Sequence, residues 1–392
     1  MVSFRIYLDA ATTTPPFPEA LEAARRAQAE AWGDPAGLGE TAARASDLLE
    51  AARADVAGLV GADPTGVLFT SGGTEADNLA LKGLAAAAPP GRRHLVVSVA
   101  EPYAIDHPAR TLARQGWSVT RIGVDRLGRV QPEALEAALR EDTALVSIVL
   151  AHPGVGTWQD LRPLAGIARA RGAVFHTDAC AAAGFDRVRM DALGVDALSL
   201  SGHRLGGLAG AGALILRPGI PLRPLIEGGT QEGGLRPGVP ALGAIAALGA
   251  AARCLLRDGE ERPLRLRSLG RRLAAGLARL PGAILTGDPE RRIPGHYSCC
   301  LPGMDGEAVV TALDAEGIQA STGSPCASQA RKADAALLAM GIPEPLARGS
   351  LCLAAWEPLP DAEVDRALDA LARTVLRLRS LAPAQRGGRA AP

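Results

Sequence analysis

The stretch Asp196-Ala-Leu-Ser-Leu-Ser-Gly-His-Arg-Leu-Gly-Gly-Leu208 decides the fold of this chain. It begins with the alternating apolar residues of a buried strand and then breaks at Ser201-Gly-His-Arg204 into a glycine-rich turn. Two earlier predicted strands also end in polar residues: one at Asp178, the other at Thr70, just before Ser71-Gly-Gly-Thr74 and a helix. Ligands bind at such strand ends in open α/β sheets, so the sequence predicts a site for a phosphorylated ring compound.

Strand and helix patterns alternate through the first half of the chain. Strand 94–99, helix 104–115 and strand 117–122 are one example, and the alternation continues to the strand at 173–177. It predicts an α/β fold with a mostly parallel sheet between helices. A long helical pattern near 242–277 suits a connector to a smaller C-terminal domain.

Composition excludes several function classes. The 392 residues have a formal net charge of zero, which argues against nucleic acid or an anionic membrane as partner. No apolar run reaches transmembrane length, and the N-terminus lacks a signal-peptide pattern. The six cysteines show neither metal-ligand spacing nor a disulfide framework, so we expect a cytoplasmic protein without a metal site. The chain has two lysines, Lys82 and Lys332.

The motifs, in this order, resemble the cysteine desulfurase branch of the class V aminotransferases, which are pyridoxal-phosphate (PLP) enzymes. The resemblance rests on the opening Tyr7–Pro16 and on the three strand ends, and it runs from about Tyr7 to Leu381. It implies a fold-type I aminotransferase-like architecture with a seven-stranded, mostly parallel sheet. The large α/β domain would span residues 15–255, a small α+β domain residues 1–14 and 256–383, and a disordered tail residues 384–392.

The resemblance places the cofactor-binding positions at Gly73, Thr74, Asp178, Ser201 and His203. Taken alone, each residue also has an ordinary structural explanation. A Gly-Gly-Thr turn is common, an aspartate caps helices, and a histidine at a strand end is often a hydrogen-bonded structural residue. A carboxylate such as Asp178 could keep a pyridine nitrogen protonated, and glycines at a helix start allow a phosphate to approach the backbone.

Two substitutions alter the chemistry that the resemblance implies. Arg204 stands at the position of the lysine that holds PLP as a Schiff base, and a guanidinium, protonated at every physiological pH, cannot form one. Cys352 stands where an arginine would pair with the carboxylate of an amino-acid substrate, which removes that substrate's strongest contact.

Further departures lie around the same site. Pro102 follows Glu101 where a histidine would stack on the cofactor ring, and Tyr103, one position later, is a candidate replacement. His152 begins the segment that would carry a substrate-binding asparagine, and Ala181 replaces a glutamine. Val239 replaces the threonine that would reach the phosphate of a partner subunit in a dimer, so this contact is lost.

Cys326 aligns with the cysteine that takes sulfur from the substrate as a persulfide. It lies in the Gly- and Ser-containing stretch Ser321-Thr-Gly-Ser-Pro-Cys-Ala-Ser328, and such a loop would suit a thiol that travels between donor and acceptor. Without the resemblance, an incidental or buried cysteine would be the simpler interpretation.

Four functions remain open on sequence grounds. The first is a non-enzymatic homologue with a structural, regulatory or sulfur-relay role, forming a homodimer or a heterodimer with an active paralogue and meeting a sulfur-acceptor protein. The second is an enzyme that binds PLP or pyridoxamine phosphate non-covalently, in which His203 or His152 transfers protons. We expect equally that the chain binds no cofactor. The third is a desulfurase that uses Lys82 or Lys332. The fourth is a pocket in which Arg204 holds an anion such as phosphate.

Overall fold

The computed structural model describes residues 6–323 and 333–381 of the chain. Its strands form a seven-stranded, a three-stranded and a two-stranded sheet. The strands are β1 (Ile6–Tyr7), β2 (Val67–Thr70), β3 (His94–Ser98), β4 (Ser118–Ile122), β5 (Thr143–Ser147), β6 (Val174–Asp178), β7 (Ala197–Ser201), β8 (Gly212–Leu216), β9 (Ile284–Thr286), β10 (His296–Cys300), β11 (Ile318–Gln319) and β12 (Ser350–Ala354).

The α-helices cover both faces of the large sheet and pack around the smaller ones. They are α1 (Pro18–Glu30), α2 (Glu40–Val60), α3 (Gly73–Asn78), α4 (Leu84–Ala87), α5 (Tyr103–Arg114), α6 (Pro132–Ala138), α7 (Leu161–Ala170), α8 (Met190–Leu193), α9 (Leu242–Asp258), α10 (Glu261–Ala278), α11 (Gly306–Ala315), α12 (Ala335–Ala339), α13 (Glu344–Ala347) and α14 (Asp361–Leu381).

The large sheet has the order β2-β8-β7-β6-β5-β3-β4. All pairings from β7 to β4 are parallel, whereas β8 runs antiparallel to both of its neighbours, β2 and β7. Its strands are buried along most of their length, as expected for a sheet covered on both faces. The predicted fold-type I aminotransferase-like α/β fold is therefore confirmed.

Two predicted helices are interrupted. The helix predicted after Ser71–Thr74 as far as Ala87 changes to a π-helical turn over Leu79–Gly83. The long helical pattern near 242–277 is two helices, α9 and α10, separated at Gly259, whose φ of 54° lies in the left-handed region. A residue without a Cβ adopts that conformation without strain, so the chain can turn there.

The N-terminal segment links the large sheet to the small one. Asp9 forms a β-bridge with Ala354 at the end of β12, and the backbone N–H of Thr14 donates to the carbonyl of His203 just after β7. The segment from Asp9 to Thr14 therefore contacts both the end of β12 and the turn after β7. The domain boundaries at 15, 255 and 383 stay predictions, and the predicted tail 384–392 lies outside the described residues. No helix in the described ranges could span a membrane.

Candidate functional site

The start of α3 packs against the ends of β6 and β7. A Cβ added to Gly73 would lie 2.6 Å from Cys180 Sγ and 3.1 Å from Ser201 Cβ, so only glycine fits between these neighbours. Thr74, the next residue, is exposed, and its carbonyl accepts a hydrogen bond from the Asn78 amide. The structure thus brings Gly73 and Ser201 together, as the sequence predicts.

Asp178 ends β6 and is largely buried. Its Oδ1 accepts the backbone N–H of Cys180 at 2.8 Å, which fixes the carboxylate at the strand end. Its backbone pairs with Ser199 of β7, so Asp178 lies one strand away from the turn that carries Arg204.

His203 lies in a 3-10 turn, Gly202–Arg204, and is half-buried. Its Nδ1 is 3.1 Å from Thr13 Oγ1, and its carbonyl accepts hydrogen bonds from Thr14 and from the Thr13 hydroxyl. Burial, and then the charge of Arg204, lower the pKa of His203, so its ring is neutral at neutral pH. The N-terminal segment holds this ring in place.

Arg204 is half-buried and ends the 3-10 turn after β7. Within residues 6–323 and 333–381, its guanidinium forms no hydrogen bond and no ion pair. Its charge nevertheless opposes the burial effect that raises the pKa of Asp9 and of Asp77. The charge of Arg204 therefore acts on two carboxyl groups without a hydrogen bond or ion pair to either among the described residues.

Two buried carboxyl groups at this site, Asp77 and Glu101, had no predicted role. Glu101 Oε1 accepts the Ser98 hydroxyl at 2.6 Å and the N–H of Val149 at 3.1 Å, and burial raises the pKa of Glu101 to about 8. Asp77 is only 1% exposed, and burial, followed by the charge of Asp178, raises its pKa well above the usual range. For Asp77, the available sequence signal was a carboxylate between the apolar residues Ala76 and Leu79 of a predicted helix.

Asp77 is also incompletely hydrogen-bonded. Its Oδ1 has no hydrogen-bond partner among the described residues, and the nearest cationic candidate, His176 Nε2, is 3.8 Å away. His176 is hydrogen-bonded to Ser147 and Ser199, and burial lowers the pKa of His176 to about 3. The imidazole is neutral and cannot compensate a charge on Asp77.

Cys352 belongs to a neutral hydrogen-bonded cluster. Its Sγ is 3.1 Å from His296 Nε2, which itself lies 2.7 Å from the Pro153 carbonyl and must therefore donate to it. Burial lowers the pKa of His296 to about 3 and raises the pKa of Cys352 far above its usual range. The thiol stays protonated, so this position offers no charge to a carboxylate.

The nearby Arg292 does not replace the missing arginine. It is 6% exposed, and its guanidinium donates to the carbonyls of Val155, Asp288 and His296. It also lies over the Tyr297 ring, 3.8 Å from the centroid. These contacts occupy N–H donors of the Arg292 guanidinium in structural hydrogen bonds.

The remaining sequence candidates occupy other places. The Tyr103 ring stacks on His107 with centroids 5.0 Å apart, and His152 Nδ1 accepts the N–H of Gly154. Lys82 lies in the π-helical turn after α3 and is partly buried. Cys326 and Lys332 lie outside the described residues.

The segment around Val239 is anchored to its own chain. Arg236 forms an ion pair with Glu75 at 2.9 Å, and Glu75 also accepts the N–H of Ser71. Glu232 forms a bidentate ion pair with Arg53 and accepts the N–H of Phe69. Val239 itself is 60% exposed.

Comparison with known proteins agrees with this architecture. The family model described as aminotransferase class-V matches residues 6–356. The cysteine desulfurase IscS of Methanosarcina thermophila is 36% identical over 378 residues, which cover 96% of this chain and 94% of that protein. A cysteine desulfurase of Cereibacter sphaeroides is 41% identical over 385 residues, covering 97% and 98%.

Solved structures show the same likeness. A NifS-like protein superposes with a TM-score of 0.89 at 30% identity and covers 95% of this chain and 100% of its own. A NifS-like protein from Rickettsia africae gives a TM-score of 0.84 at 25% identity, covering 96% and 99%. The family match and the full-length relatives together show that this chain belongs to the class-V aminotransferase family, among the relatives of its cysteine desulfurases.

Proposed function

We propose that this cysteine-desulfurase-like protein does not form the covalent cofactor link of a conventional desulfurase and serves as a scaffold, regulatory or sulfur-relay homologue. One observation carries the proposal: the chain places Arg204, a group that cannot become a neutral amine, in the turn after β7. Because relatives of this chain are named cysteine desulfurases, we expect that role to concern sulfur transfer.

PLP, which the family implies, fits the site in part. The carboxylate of Asp178, with one oxygen held by Cys180 N–H, suits a ring N–H, and the backbone around Gly73 with Thr74, Ser201 and His203 suits a phosphate. Bound there, the group would supply an electron-withdrawing ring. Covalent attachment at this turn does not fit, because Arg204 offers no neutral amine. Separately, Cys352 offers no charge to a substrate carboxylate.

Three variants of one position test the proposal. We expect wild-type protein mixed with PLP to show no visible aldimine band that borohydride removes, and Arg204→Lys to gain one. Arg204→Gln is the matched control, since it removes the cation without adding an amine. Cysteine-dependent sulfide release by the wild-type protein, or a borohydride-trapped adduct on Lys82 or Lys332, would refute the proposal.

A second candidate is an enzyme with non-covalent PLP or pyridoxamine phosphate. The buried carboxylate of Asp178 at the strand end favours it, because such a group would hold a protonated ring nitrogen. A free-aldehyde absorbance that dialysis removes, and that Asp178→Asn weakens, is the expected signature. Purified protein that takes up neither compound on soaking would exclude this candidate.

We also infer a cytoplasmic dimer, of this chain with itself or with an active paralogue. Leu225, Ile226 and Val239 are exposed apolar side chains on the segment that Arg236 and Glu232 anchor beside Ser71. Exposed apolar groups of this kind often mark protein interfaces. Sedimentation velocity of wild type and Ile226→Glu tests this inference, and a monomeric wild type would exclude the homodimer.

A further inference from the structure

We propose that residues 230–239, here called the strap, guard the free edge of the large sheet against pairing with a second copy of the chain. The carboxylate of Glu232 in the strap and the guanidinium of Arg53 in α2 occupy the backbone groups that a further strand would bind. The inference is independent of the proposed function, because it involves neither PLP nor sulfur chemistry.

The edge strand β2 has backbone groups that β8 does not satisfy. It is hydrogen-bonded to β8 alone, and in an antiparallel pair alternate residues direct their N–H and C=O groups away from the partner strand. On β2 these residues include Val67 and Phe69, whose backbone groups bind partners outside the sheet. An unpaired row of this kind is a template for pairing with another chain.

Side chains take the place of the missing strand. The Val67 N–H donates to the Pro64 carbonyl, and the Val67 carbonyl accepts from Arg53 Nη1 at 2.6 Å. The Phe69 N–H donates to Glu232 Oε2 at 3.0 Å. One guanidinium and one carboxylate thus supply the donor and the acceptor that the backbone of a neighbouring strand would supply.

These two side chains also hold each other. Nη1 and Nη2 of Arg53 lie 2.9 and 2.8 Å from the two carboxylate oxygens of Glu232, and the side chains are 12% and 4% exposed. The guanidinium lies 5.0 Å from the centroid of the Phe69 ring. Bidentate pairs of this kind combine strength with fixed geometry, so the cover over β2 has a defined position.

The backbone of the strap is strained where it delivers the carboxylate. Among the non-glycine residues in the described ranges, Glu232 alone has a positive φ, 50°, and Gly233 and Gly234 follow with 65° and 79°. A side chain in this region costs on the order of 1–3 kcal/mol, which glycine would avoid. The strain favours a role for the Glu232 side chain over a role for its backbone.

A further strand would have room beside β2. A cavity of about 510 Å³ borders this edge, and its lining includes Val67, Leu68, Pro64 and Leu235 together with the Arg53–Glu232 pair. The other end of the strap is fastened separately, by the ion pair of Arg236 with Glu75. The pair at the edge is therefore the part of the strap that keeps an incoming strand from β2.

Hydrogen exchange resolved to single amides by mass spectrometry tests the guard. Glu232→Gly removes the acceptor and relieves the strain, whereas Glu232→Gln keeps an acceptor oxygen. We expect the Phe69 N–H to exchange at least about tenfold faster in Glu232→Gly than in wild type, and to change less in Glu232→Gln. Glu227→Gln, at an exposed carboxylate just before the strap, is the matched control and should behave as wild type.

The amides of β6 separate a guard from a general structural role. This strand is paired on both sides, so its exchange should not change in Glu232→Gly. Unchanged exchange at Phe69, or equal acceleration in β2 and β6, would overturn the proposal. If Glu232→Gly does not fold, the double variant Arg53→Met/Glu232→Gly carries the same expectation, because it leaves no unpaired charge at the edge.

Sedimentation velocity measures the consequence of an open edge. We expect Glu232→Gly to form species larger than those of wild type as its concentration rises, and Glu227→Gln to form none. Faster exchange at Phe69 without such species would show that the ion pair only stabilises β2, which contradicts the guard. Failure here leaves the spectroscopic test of Arg204 unaffected.

Discussion

At the scale of single residues, Glu101 makes the stability of the folded protein depend on pH. Burial raises its pKa from 4.5 to about 8, so between these values the unfolded chain releases a proton that the folded chain retains. The free energy of unfolding should therefore fall as pH rises from about 4.5 to about 8 and level off above that range. Urea unfolding across this range should show Glu101→Gln losing less stability than wild type, with a difference of a few kcal/mol.

A surface carboxylate provides the control for this pH effect. Glu136 is exposed on α6, so Glu136→Gln should follow the wild-type pH profile. Parallel profiles of wild type and Glu101→Gln would show that Glu101 is ionised in the folded protein.

Sequence reasoning located part of the site at this scale. Gly73, Asp178, Ser201 and His203 each end or follow a strand, and strand ends can be read from the alternation of apolar residues. The unpartnered Oδ1 of Asp77 could not be predicted, because it depends on the tertiary contacts of α3. The roles of these site residues remain predictions.

At the scale of elements, the packing of the start of α3 depends on the size of the side chain at position 180. Gly73→Ala should destabilise the protein by about 1–3 kcal/mol, because the new methyl group would lie 2.6 Å from Cys180 Sγ in a packed interior. Combining it with Cys180→Ala should recover part of that loss, since the clashing sulfur is gone. Urea denaturation of the two single variants and the double variant measures this coupling.

Gly166 offers a matched control within a helix. A Cβ there meets nothing within 4 Å, so Gly166→Ala in α7 should be neutral or stabilising through helix propensity. Additive effects of Gly73→Ala and Cys180→Ala would mean that the sulfur is not the obstacle.

Helix periodicity predicted α5 to within a residue at each end, since the predicted helix 104–115 corresponds to Tyr103–Arg114. It could not predict the π-helical turn at Leu79–Gly83, because the apolar pattern continues through it without a breaker. The separation of α9 from α10 was readable in principle, since Asp258-Gly-Glu260 interrupts the apolar run.

At the scale of the whole molecule, the fold keeps its described thiols unreactive. All five are buried, and burial raises the pKa of each, which leaves no thiolate at neutral pH; they are Cys180, Cys254, Cys299, Cys300 and Cys352. We expect native Cys326→Ser protein to show no fast reaction with Ellman's reagent, and full reaction of its thiols in guanidinium chloride.

The same thiol reaction, measured in the native wild-type protein, isolates the contribution of Cys326. Any fast-reacting thiol in native wild type that disappears in Cys326→Ser belongs to Cys326. A fast-reacting thiol that persists in the variant would show that one of the five buried cysteines becomes accessible, contrary to the prediction.

The α/β class and the mostly parallel sheet were predictable for the whole molecule, because βα alternation strongly restricts topology. The number of strands was given by resemblance and not by periodicity. The strand order was not predicted, since no local pattern reveals that β8 inserts between β2 and β7. Function follows less directly than fold, because a single side chain such as Arg204 changes the chemistry of an unchanged scaffold.

That insertion has a consequence for how the protein is made. In the sheet, β2 is hydrogen-bonded to β8 alone, so Val67, Leu68 and Phe69 have no strand partner until Gly212–Leu216 has left the ribosome. At roughly 5–20 residues per second, the nascent chain carries this apolar segment unpaired for on the order of ten seconds. Assembly of the Gly73 turn is therefore a late event in biosynthesis, and chaperones have that interval in which to act on the segment.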